Sequence, residues 1–177
     1  DLLDQAQIES GKISFQNQYF EPAELLGLMH SIMDQLAAEK RLMLTSIVED
    51  SMPEKVFGDI RRLQQILVNL VNNAVKYTDK GSIWVRMYKN AETYWCLEVT
   101  DTGRGISPEF FPRIFEPFQQ GKNSGRDHKG IGLGLTIVRR LVDIMGGQVE
   151  VHSTYGTGST FRVLVPDAPY QHRDEKE

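Results

Sequence analysis

Cysteine is nearly absent from this sequence of 177 residues, since Cys96 is the only one. A single cysteine excludes an intrachain disulfide and any metal site built from several cysteines. Long apolar runs are absent too, and none approaches the roughly twenty residues that a membrane-spanning helix requires. A secretory signal is also missing, because Asp1, Asp4 and Glu9 stand where basic and then apolar residues would be needed. We therefore expect a soluble, cytoplasmic domain in a reducing compartment.

An excess of basic charge is missing as well. Lys and Arg together number 20 against 24 Asp and Glu, which gives a net charge of −4 at pH 7. This balance excludes an overall positive field, so we expect no nucleic-acid partner. The length, with 40% hydrophobic residues, suits one domain with its own core. Because the sequence begins within a helical pattern and without Met, we expect it to be part of a longer protein.

The spacing of apolar and turn-forming residues predicts alternating groups of helices and strands. Helices are predicted over about 1–10, 21–40, 59–77, 109–115 and 132–145. Strands are predicted over about 42–48, 82–89, 94–100, 148–153 and 159–165. Two hairpins are present and helices do not strictly alternate with strands. The sequence therefore predicts an α+β fold, a two-layer sandwich of a mixed, mostly antiparallel sheet covered on one face by helices.

Both long helices show an apolar face. In the first, we expect a core-facing stripe formed by Leu25, Met29, Ile32 and Leu36. In the second, Asp59 is the predicted N-cap, and the core face is expected to consist of Leu63, Leu67, Leu70 and Ala74.

A polar stripe runs along the second long helix. Because successive residues turn by about 100°, Asn69, Asn73 and Lys76 fall within roughly 60° of one another. One interpretation is a solvated face, which composition alone favours. The other is a site where amide oxygens bind a hard cation such as Mg²⁺ and the lysine meets an anion.

The segment 102–129 is unusually long for a stretch with so little predicted regular structure. One interpretation is a disordered insertion, but the segment contains the apolar residues Phe111, Ile114, Phe115 and Phe118. Its second part has no apolar residue and carries Lys122, Arg126 and Lys129. We interpret it as a mobile basic flap anchored by buried phenylalanines.

Three glycine-rich motifs follow one another, over 101–106, 130–135 and 156–160. None has the spacing of a Walker A loop or of a dinucleotide-binding turn. The second opens into a helix, so its backbone N–H groups are suited to bind phosphate, although a flexible hinge is the alternative. The third is more consistent with a hairpin turn. Asp101 ends a strand, where it either caps the turn or accepts a hydrogen bond from the exocyclic amine of a base.

Taken in order, these motifs resemble the catalytic, ATP-binding domain of sensor histidine kinases. That family belongs to the wider group of gyrase-B, chaperone and mismatch-repair ATPases, which share the Bergerat-type ATP-binding fold. The resemblance covers about 57–165, with an N box at 63–78, a G1 box at 101–106, an F box at 115–118, a G2 box at 130–135 and a last glycine box at 156–161. Each box is weak evidence, but five in this order are highly specific.

The resemblance implies roles for individual residues. In the N box, Asn73 would ligate Mg²⁺ with Asn69 beside it, Lys76 would meet phosphate, and Tyr77 would pack near adenine or ribose. We expect the first three of these to be the catalytic residues.

Base recognition and the lid are assigned in the same way. Asp101 would accept the adenine amino group. Further nucleotide contacts are implied for the G1-box residues Gly103, Gly105 and Ile106, for the lid anchors Phe115 and Phe118, for Lys129, and for the backbone amides of Gly130, Ile131, Gly132, Leu133, Gly134 and Leu135. Thr160 would reach the adenine side through a hydroxyl or a water.

The resemblance also predicts the organisation of the chain. Residues 1–11 resemble the end of a dimerisation and phosphoacceptor helix pair, in the form common in hybrid kinases. Residues 12–166 would be the catalytic domain, and 167–177 a flexible tail or linker. No His-Glu-x-x-x-Pro acceptor motif occurs, so the acceptor histidine would precede residue 1 and this chain would bind ATP without autophosphorylating.

The implied activity is transfer of the ATP γ-phosphoryl group to a histidine of that helical domain. The implied partners are this helical domain and a response regulator or receiver domain, within a parent protein that is homodimeric and membrane-anchored. Two alternatives stay open: a same-fold ATPase that hydrolyses ATP to drive conformational change, and a regulatory, non-catalytic binding module.

Overall fold

The computed structural model describes residues 14–91, 93–117 and 133–167. In chain order, the elements are β1 (Gln18–Phe20), α1 (Pro22–Glu39), β2 (Met43–Val48), β3 (Val56–Gly58), α2 (Ile60–Tyr77), β4 (Ser82–Ala91), β5 (Tyr94–Asp101), a short 3₁₀ turn (Phe111–Arg113), α3 (Gly134–Ile144), β6 (Gln148–Thr154) and β7 (Gly158–Pro166). No helix within these ranges is long and apolar enough to cross a membrane.

The five longer strands form one mixed sheet in the order β2-β4-β5-β7-β6. Strands β2 and β4 are parallel, and the other neighbours are antiparallel. Inward residues alternate with outward ones, so Ile83, Val85 and Met87 are fully buried while Trp84 between them is 40% exposed. The helices pack on the inward face. The predicted two-layer α+β sandwich is confirmed.

The strands β1 and β3 were not predicted from the sequence. Each has three residues, and they pair with each other in a separate antiparallel sheet. Periodicity cannot reveal a strand this short, because three residues give no repeat to count. The predicted helix over 109–115 is likewise reduced to the single turn at Phe111–Arg113.

The predicted core stripe of α1 is wrong in its second half. Ile32 is 50% exposed and Leu36 is 38% exposed. The buried residues are Leu25, Leu26, Met29, Met33 and Ala37. Four of these follow a strict i, i+4 row, which is the ridge that packs against a neighbouring helix, here α2. The predicted stripe takes a step of three residues from Met29 to Ile32, and this step places Ile32 and Leu36 beside the ridge and not on it.

Helix α2 carries the predicted cap and core face. The Asp59 carboxylate accepts hydrogen bonds from the backbone N–H groups of Arg61 (3.0 Å) and Arg62 (3.2 Å). The four predicted core residues of this helix are at most 4% exposed.

The carboxyl end of α2 is bound by Lys40, the residue that directly follows α1. Lys40 Nζ donates to the backbone carbonyl oxygens of Val75 (2.7 Å), Lys76 (3.2 Å) and Thr78 (3.3 Å). The ammonium group satisfies carbonyls that have no partner within the helix, and its charge complements the negative end of the helix dipole.

Candidate functional site

A cavity of about 270 Å³ lies between α2, α3 and the ends of β5 and β7. Helix α2 contributes Asn69, Asn72, Asn73, Ala74, Lys76 and Tyr77. Strands and loops contribute Asp101, Gly105, Ile106, Phe110, Ile114, Ser159 and Phe161, and the start of α3 contributes Leu133, Gly134 and Leu135. The structure thus brings the predicted polar stripe, the acidic strand end and a helix N-terminus together in one place.

The asparagine stripe lines this cavity and does not lie on an open surface. Asn69, Asn73 and Lys76 are half-buried, whereas Asn72 is exposed. A Cβ added at Gly134 would lie 3.1 Å from Asn69 Oδ1, so the amide oxygen sits against the first turn of α3. Amide oxygens and the N–H groups of a helix start therefore face a common space, where a phosphate and a hard cation can bind together.

Asp101 is the buried carboxyl group of the cavity. It is 8% exposed and accepts a hydrogen bond from the backbone N–H of Gly103 at 2.8 Å. Burial raises the pKa of Asp101, and hydrogen bonds from the backbone N–H groups of Gly103 and Ser159 act in the opposite direction. The group therefore caps its turn, as one interpretation predicted, and it also lines the cavity, as the other requires.

The glycines of the first motif are required by contacts within the protein. A Cβ at Gly103 would lie 2.4 Å from the carbonyl oxygen of Tyr77. Gly105 has a φ of +66°, and a Cβ there would lie 2.2 Å from the carbonyl oxygen of Thr154. Both glycines thus let the loop after β5 pack closely against α2 and the β6–β7 turn. Gly105 also lines the cavity.

The ring of Tyr77 is held beside two cations. Lys76 Nζ lies 5.1 Å from the ring centroid and Arg104 Cζ lies 4.8 Å from it, both within the range of a cation–π interaction. The backbone of Arg104 is fixed too, because its N–H donates to the Tyr77 carbonyl (3.2 Å) and its carbonyl accepts from Gly156 (2.8 Å). Arg104 was not among the predicted site residues, because no spacing rule indicates such a contact.

Thr160 does not reach the cavity, contrary to the sequence-based expectation. Its hydroxyl lies 3.0 Å from that of Thr100, with which it pairs across β5 and β7. The neighbouring pair, Asp101 and Ser159, points to the opposite face, and both residues line the cavity. Ser159 is thus the cavity residue that the sequence-based assignment missed. Side chains alternate between the two faces of β7, so the residue that pairs with Asp101 must lie on the cavity side.

The lid anchors are described only in part. Phe115 does not line the cavity; its carbonyl oxygen accepts a hydrogen bond from Thr136 Oγ1 (3.0 Å), and its ring lies 5.7 Å from Arg139 Cζ on α3. Ile114 and Phe110 line the cavity in its place. The remaining predicted site residues, Phe118, Lys129, Gly130, Ile131 and Gly132, lie outside the described residues.

This fold and this cavity define a two-layer α+β domain whose ligand site is suited to a nucleotide. Residues 58–169 match the family described as "Histidine kinase-, DNA gyrase B-, and HSP90-like ATPase". The chain belongs to this family, and it is an ATP-binding catalytic domain of the sensor histidine kinase type.

Curated relatives include the sensor histidine kinase RcsC of Escherichia coli (strain K12), which is 36% identical over 177 residues, covering 99% of this chain and 18% of RcsC. The autoinducer 2 sensor kinase/phosphatase LuxQ of Vibrio harveyi is 38% identical over 174 residues, covering 94% of this chain and 20% of LuxQ. The chain thus spans about a fifth of the length of these relatives.

Solved structures show the same similarity. Full-length ShkA in complex with AMPPNP superposes with a TM-score of 0.84 at 33% identity, covering 95% of this chain and 35% of ShkA. The catalytic domain of the histidine kinase ThkA superposes with a TM-score of 0.72 at 26% identity, covering 87% of this chain and 99% of that domain. The resemblance inferred from the five boxes is confirmed.

Proposed function

We propose that this domain binds ATP with Mg²⁺ and delivers the γ-phosphoryl group to a histidine on a helical domain of the same protein. The observation that carries the proposal is the cavity itself, where the buried Asp101 carboxyl group and the Asn69–Asn73 row meet the start of α3. The names of the relatives, which are sensor kinases, support the same activity.

The base-binding end of the cavity is assigned to β5 and β7. Asp101 accepts a hydrogen bond from the adenine amino group, and its two backbone N–H partners hold the carboxyl group in place. Ser159 lies beside it on the same face, and we assign its hydroxyl, which lies 3.0 Å from the Ser153 hydroxyl, to a contact with the base in place of Thr160. The Tyr77 ring packs against the base or ribose, while Ile106 adds apolar surface.

The phosphate-binding end is assigned to α2 and α3. The Asn69 and Asn73 amide oxygens suit Mg²⁺, which supplies charge neutralisation on the phosphates when bound. The ammonium group of Lys76 moves away from the Tyr77 ring and contacts a phosphate group of the nucleotide. The N–H groups of Leu133, Gly134 and Leu135 at the positive end of α3 bind phosphate oxygens, and we assign the same role to Gly130, Ile131 and Gly132 and a charge role to Lys129. Catalysis then comes from positioning and electrostatics.

The metal assignment has its own test. Asn73→Ala is expected to remove the Mg²⁺ dependence of nucleotide affinity, measured by calorimetry with and without Mg²⁺, because a ligating oxygen is lost. Asn17→Ala, at an exposed asparagine that does not line the cavity, is the matched control. An unchanged Mg²⁺ dependence in Asn73→Ala would contradict the assignment.

Lid closure is proposed to involve Phe115 and Phe118 as anchors. Phe115 is bound to α3 through Thr136, so a movement of the segment that follows it is transmitted to the start of α3. We expect residues 119–129 to gain amide-exchange protection when an ATP analogue binds. No gain would count against a lid.

The whole protein is proposed to be a hybrid-type, homodimeric sensor kinase with this domain in the cytoplasm and an anchor in the membrane. Residues 1–11 would end its dimerisation and phosphoacceptor helices, 12–166 would form the catalytic domain, and 167–177 would be a tail or linker. A response regulator or receiver domain is the expected acceptor of the phosphoryl group.

The decisive experiment supplies what this chain lacks. The chain is mixed with γ-labelled ATP and the separately produced helical domain of its parent protein. We expect label on a histidine of the helical domain and none on this chain alone. Release of labelled phosphate without transfer would instead show an ATPase, and ATP binding without either product would show a regulatory binding module.

A further inference from the structure

The two edges of the five-stranded sheet differ in charge. The edge strands are β2 and β6. Strand β6 carries the exposed residues Glu150 and His152, and a charged side chain is a common protection of a sheet edge against pairing with another chain. Strand β2 has the sequence MLTSIV, without a charged residue or a proline. The β2 edge therefore lacks this protection.

The backbone of β2 has hydrogen-bonding groups that point away from the sheet. The N–H groups of Met43 and Glu49 donate towards β4, to the carbonyl oxygens of Gly81 (3.1 Å) and Met87 (2.9 Å). Because successive residues of a strand direct these groups to alternate sides, those of the even-numbered residues between them, 44, 46 and 48, point outward. Among the described residues, no strand lies on that side of β2. A further strand can therefore pair there.

The sheet face next to this edge is apolar. Met43 is 59% exposed and Ile47 is 55% exposed. Thr45 lies between them and pairs with Trp84 of β4, which is exposed on the face opposite the helices. Three of the eight large hydrophobic side chains that are exposed among the described residues thus lie together at one edge.

The sequence of β2 is complementary to itself in the antiparallel direction. When two copies pair with Thr45 opposite Thr45, Met43 lies opposite Ile47, so two exposed apolar side chains cover each other. Leu44 then lies opposite Ser46, and both are residues whose backbone groups point to the edge, so the ladder hydrogen bonds form in this register.

The charges at the two ends of β2 favour the same direction. Arg41 precedes the strand and Asp50 follows it, and both are exposed. Antiparallel pairing brings the basic end of one copy to the acidic end of the other, whereas parallel pairing would place like charges together.

We propose that the β2 edge is a self-association surface, through which two copies of this chain pair antiparallel about Thr45 and join their sheets into one. The arrangement has two-fold symmetry, so the same surface is used on both copies. A single strand pair is a small interface, so the dimer is weak in the separate chain and is favoured where a tether raises the local concentration. No residue of β2 lines the nucleotide cavity, so the proposal does not rest on the proposed function.

A disulfide across the two-fold axis tests the register. In a non-hydrogen-bonded antiparallel pair the Cα atoms lie about 4.5 Å apart, which a disulfide can bridge. Thr45→Cys is therefore expected to form a covalent dimer on mild oxidation, measured by non-reducing electrophoresis, while the native Cys96 is buried. His152→Cys, at an exposed position of the opposite edge strand, is the matched control and is expected to stay monomeric. No dimer in Thr45→Cys, or an equal yield in both variants, would overturn the proposal.

A charge test measures the reversible dimer. In sedimentation experiments the apparent mass of the unmodified chain is expected to rise with concentration from 20.2 kDa towards twice that value. Thr45→Lys places two ammonium groups opposite each other and is expected to weaken self-association at least about fivefold, whereas His152→Lys leaves it unchanged. Mixing Thr45→Lys with Thr45→Glu is expected to restore association.

The affinity for AMPPNP is expected to stay unchanged in all of these variants, which shows that the fold is intact. A failure of the chain to bind AMPPNP would contradict the proposed function but not the dimer. A constant monomer mass at all concentrations, undiminished association in Thr45→Lys, or no recovery in the Lys and Glu mixture would overturn the dimer.

Discussion

Two carboxyl groups on β5 are equally well buried but have opposite surroundings. Asp101 is 8% exposed and faces the nucleotide cavity, where it accepts hydrogen bonds from backbone N–H groups. Glu98 is 4% exposed on the other face of the sheet, where it pairs with Arg162 (2.6 Å) and Arg86 (3.1 Å) and accepts from the Tyr88 hydroxyl (3.2 Å).

The difference shows what distinguishes a binding residue from a structural one. Glu98 is surrounded by charged side chains of its own chain, so its hydrogen-bonding capacity is used within the fold. Asp101 lies on a cavity wall and is positioned by neutral backbone groups, so it retains capacity for a ligand. Burial of a carboxyl group does not indicate function, but burial beside a cavity without a cationic partner does.

The largest effect is expected from Asp101→Asn. The amide keeps the size but presents an N–H₂ group where the adenine amino group needs an acceptor. Because a buried hydrogen bond to a charged group contributes about 1.5–3 kcal/mol, ATP affinity is expected to fall about 10- to 100-fold, measured by calorimetry. Wild-type affinity for ATP in this variant would contradict the role of Asp101.

Glu98→Gln is expected to have a smaller effect, and on a different quantity: it lowers the stability of the fold and not the affinity for ATP. Removing the charge leaves two arginines without their shared partner. Since these arginines are 46% and 38% exposed at their side chains, solvent screens part of the loss. We expect the free energy of unfolding in urea to fall by about 1–2 kcal/mol, with ATP affinity unchanged. Weakened ATP binding at wild-type stability would break the distinction between the two carboxyl groups.

Arg104→Met tests whether the Tyr77 ring depends on its neighbouring cation. Methionine keeps apolar contact with the ring but removes the charge, and an exposed cation–π interaction contributes about 0.5–1 kcal/mol. ATP affinity is expected to fall about two- to fivefold. Arg104→Lys should recover part of this loss, and a Lys variant as weak as the Met variant would argue against a cation–π contribution.

An effect as small as that of Arg104→Met is expected at Ser159, and none at its neighbour Thr160 on β7. Ser159→Ala is expected to lower ATP affinity by about two- to fivefold, because a hydroxyl on the cavity wall is lost. Thr160→Val, on the opposite face, is expected to leave ATP affinity unchanged. The reverse result would restore the original assignment to Thr160.

Side-chain positions were predicted most accurately where one helix or strand carries many residues in a regular repeat. Helix α2 has a cap at Asp59, a core row and a polar row, and all three lie where periodicity placed them. Side-chain direction in β7 was predicted wrongly because a shift of one residue reverses the face of a strand, and a motif match does not specify direction. The α1 stripe failed because Ile32 and Leu36 fit a helical repeat without lying on the ridge that packs against α2.

Contacts between distant segments could not be predicted. The place of Arg104 beside Tyr77 depends on how the loop after β5 packs against α2. This contact has no local repeat or motif in the sequence.

Lys40 connects the nucleotide site to a part of the chain that touches no ligand. Its ammonium group binds three carbonyl oxygens at the end of α2, on the turn that carries Lys76 and Tyr77. The orientation of two proposed nucleotide contacts therefore depends on the junction between α1 and β2. A displacement of the carboxyl end of α1 would therefore also disturb the turn that presents these two side chains to the cavity.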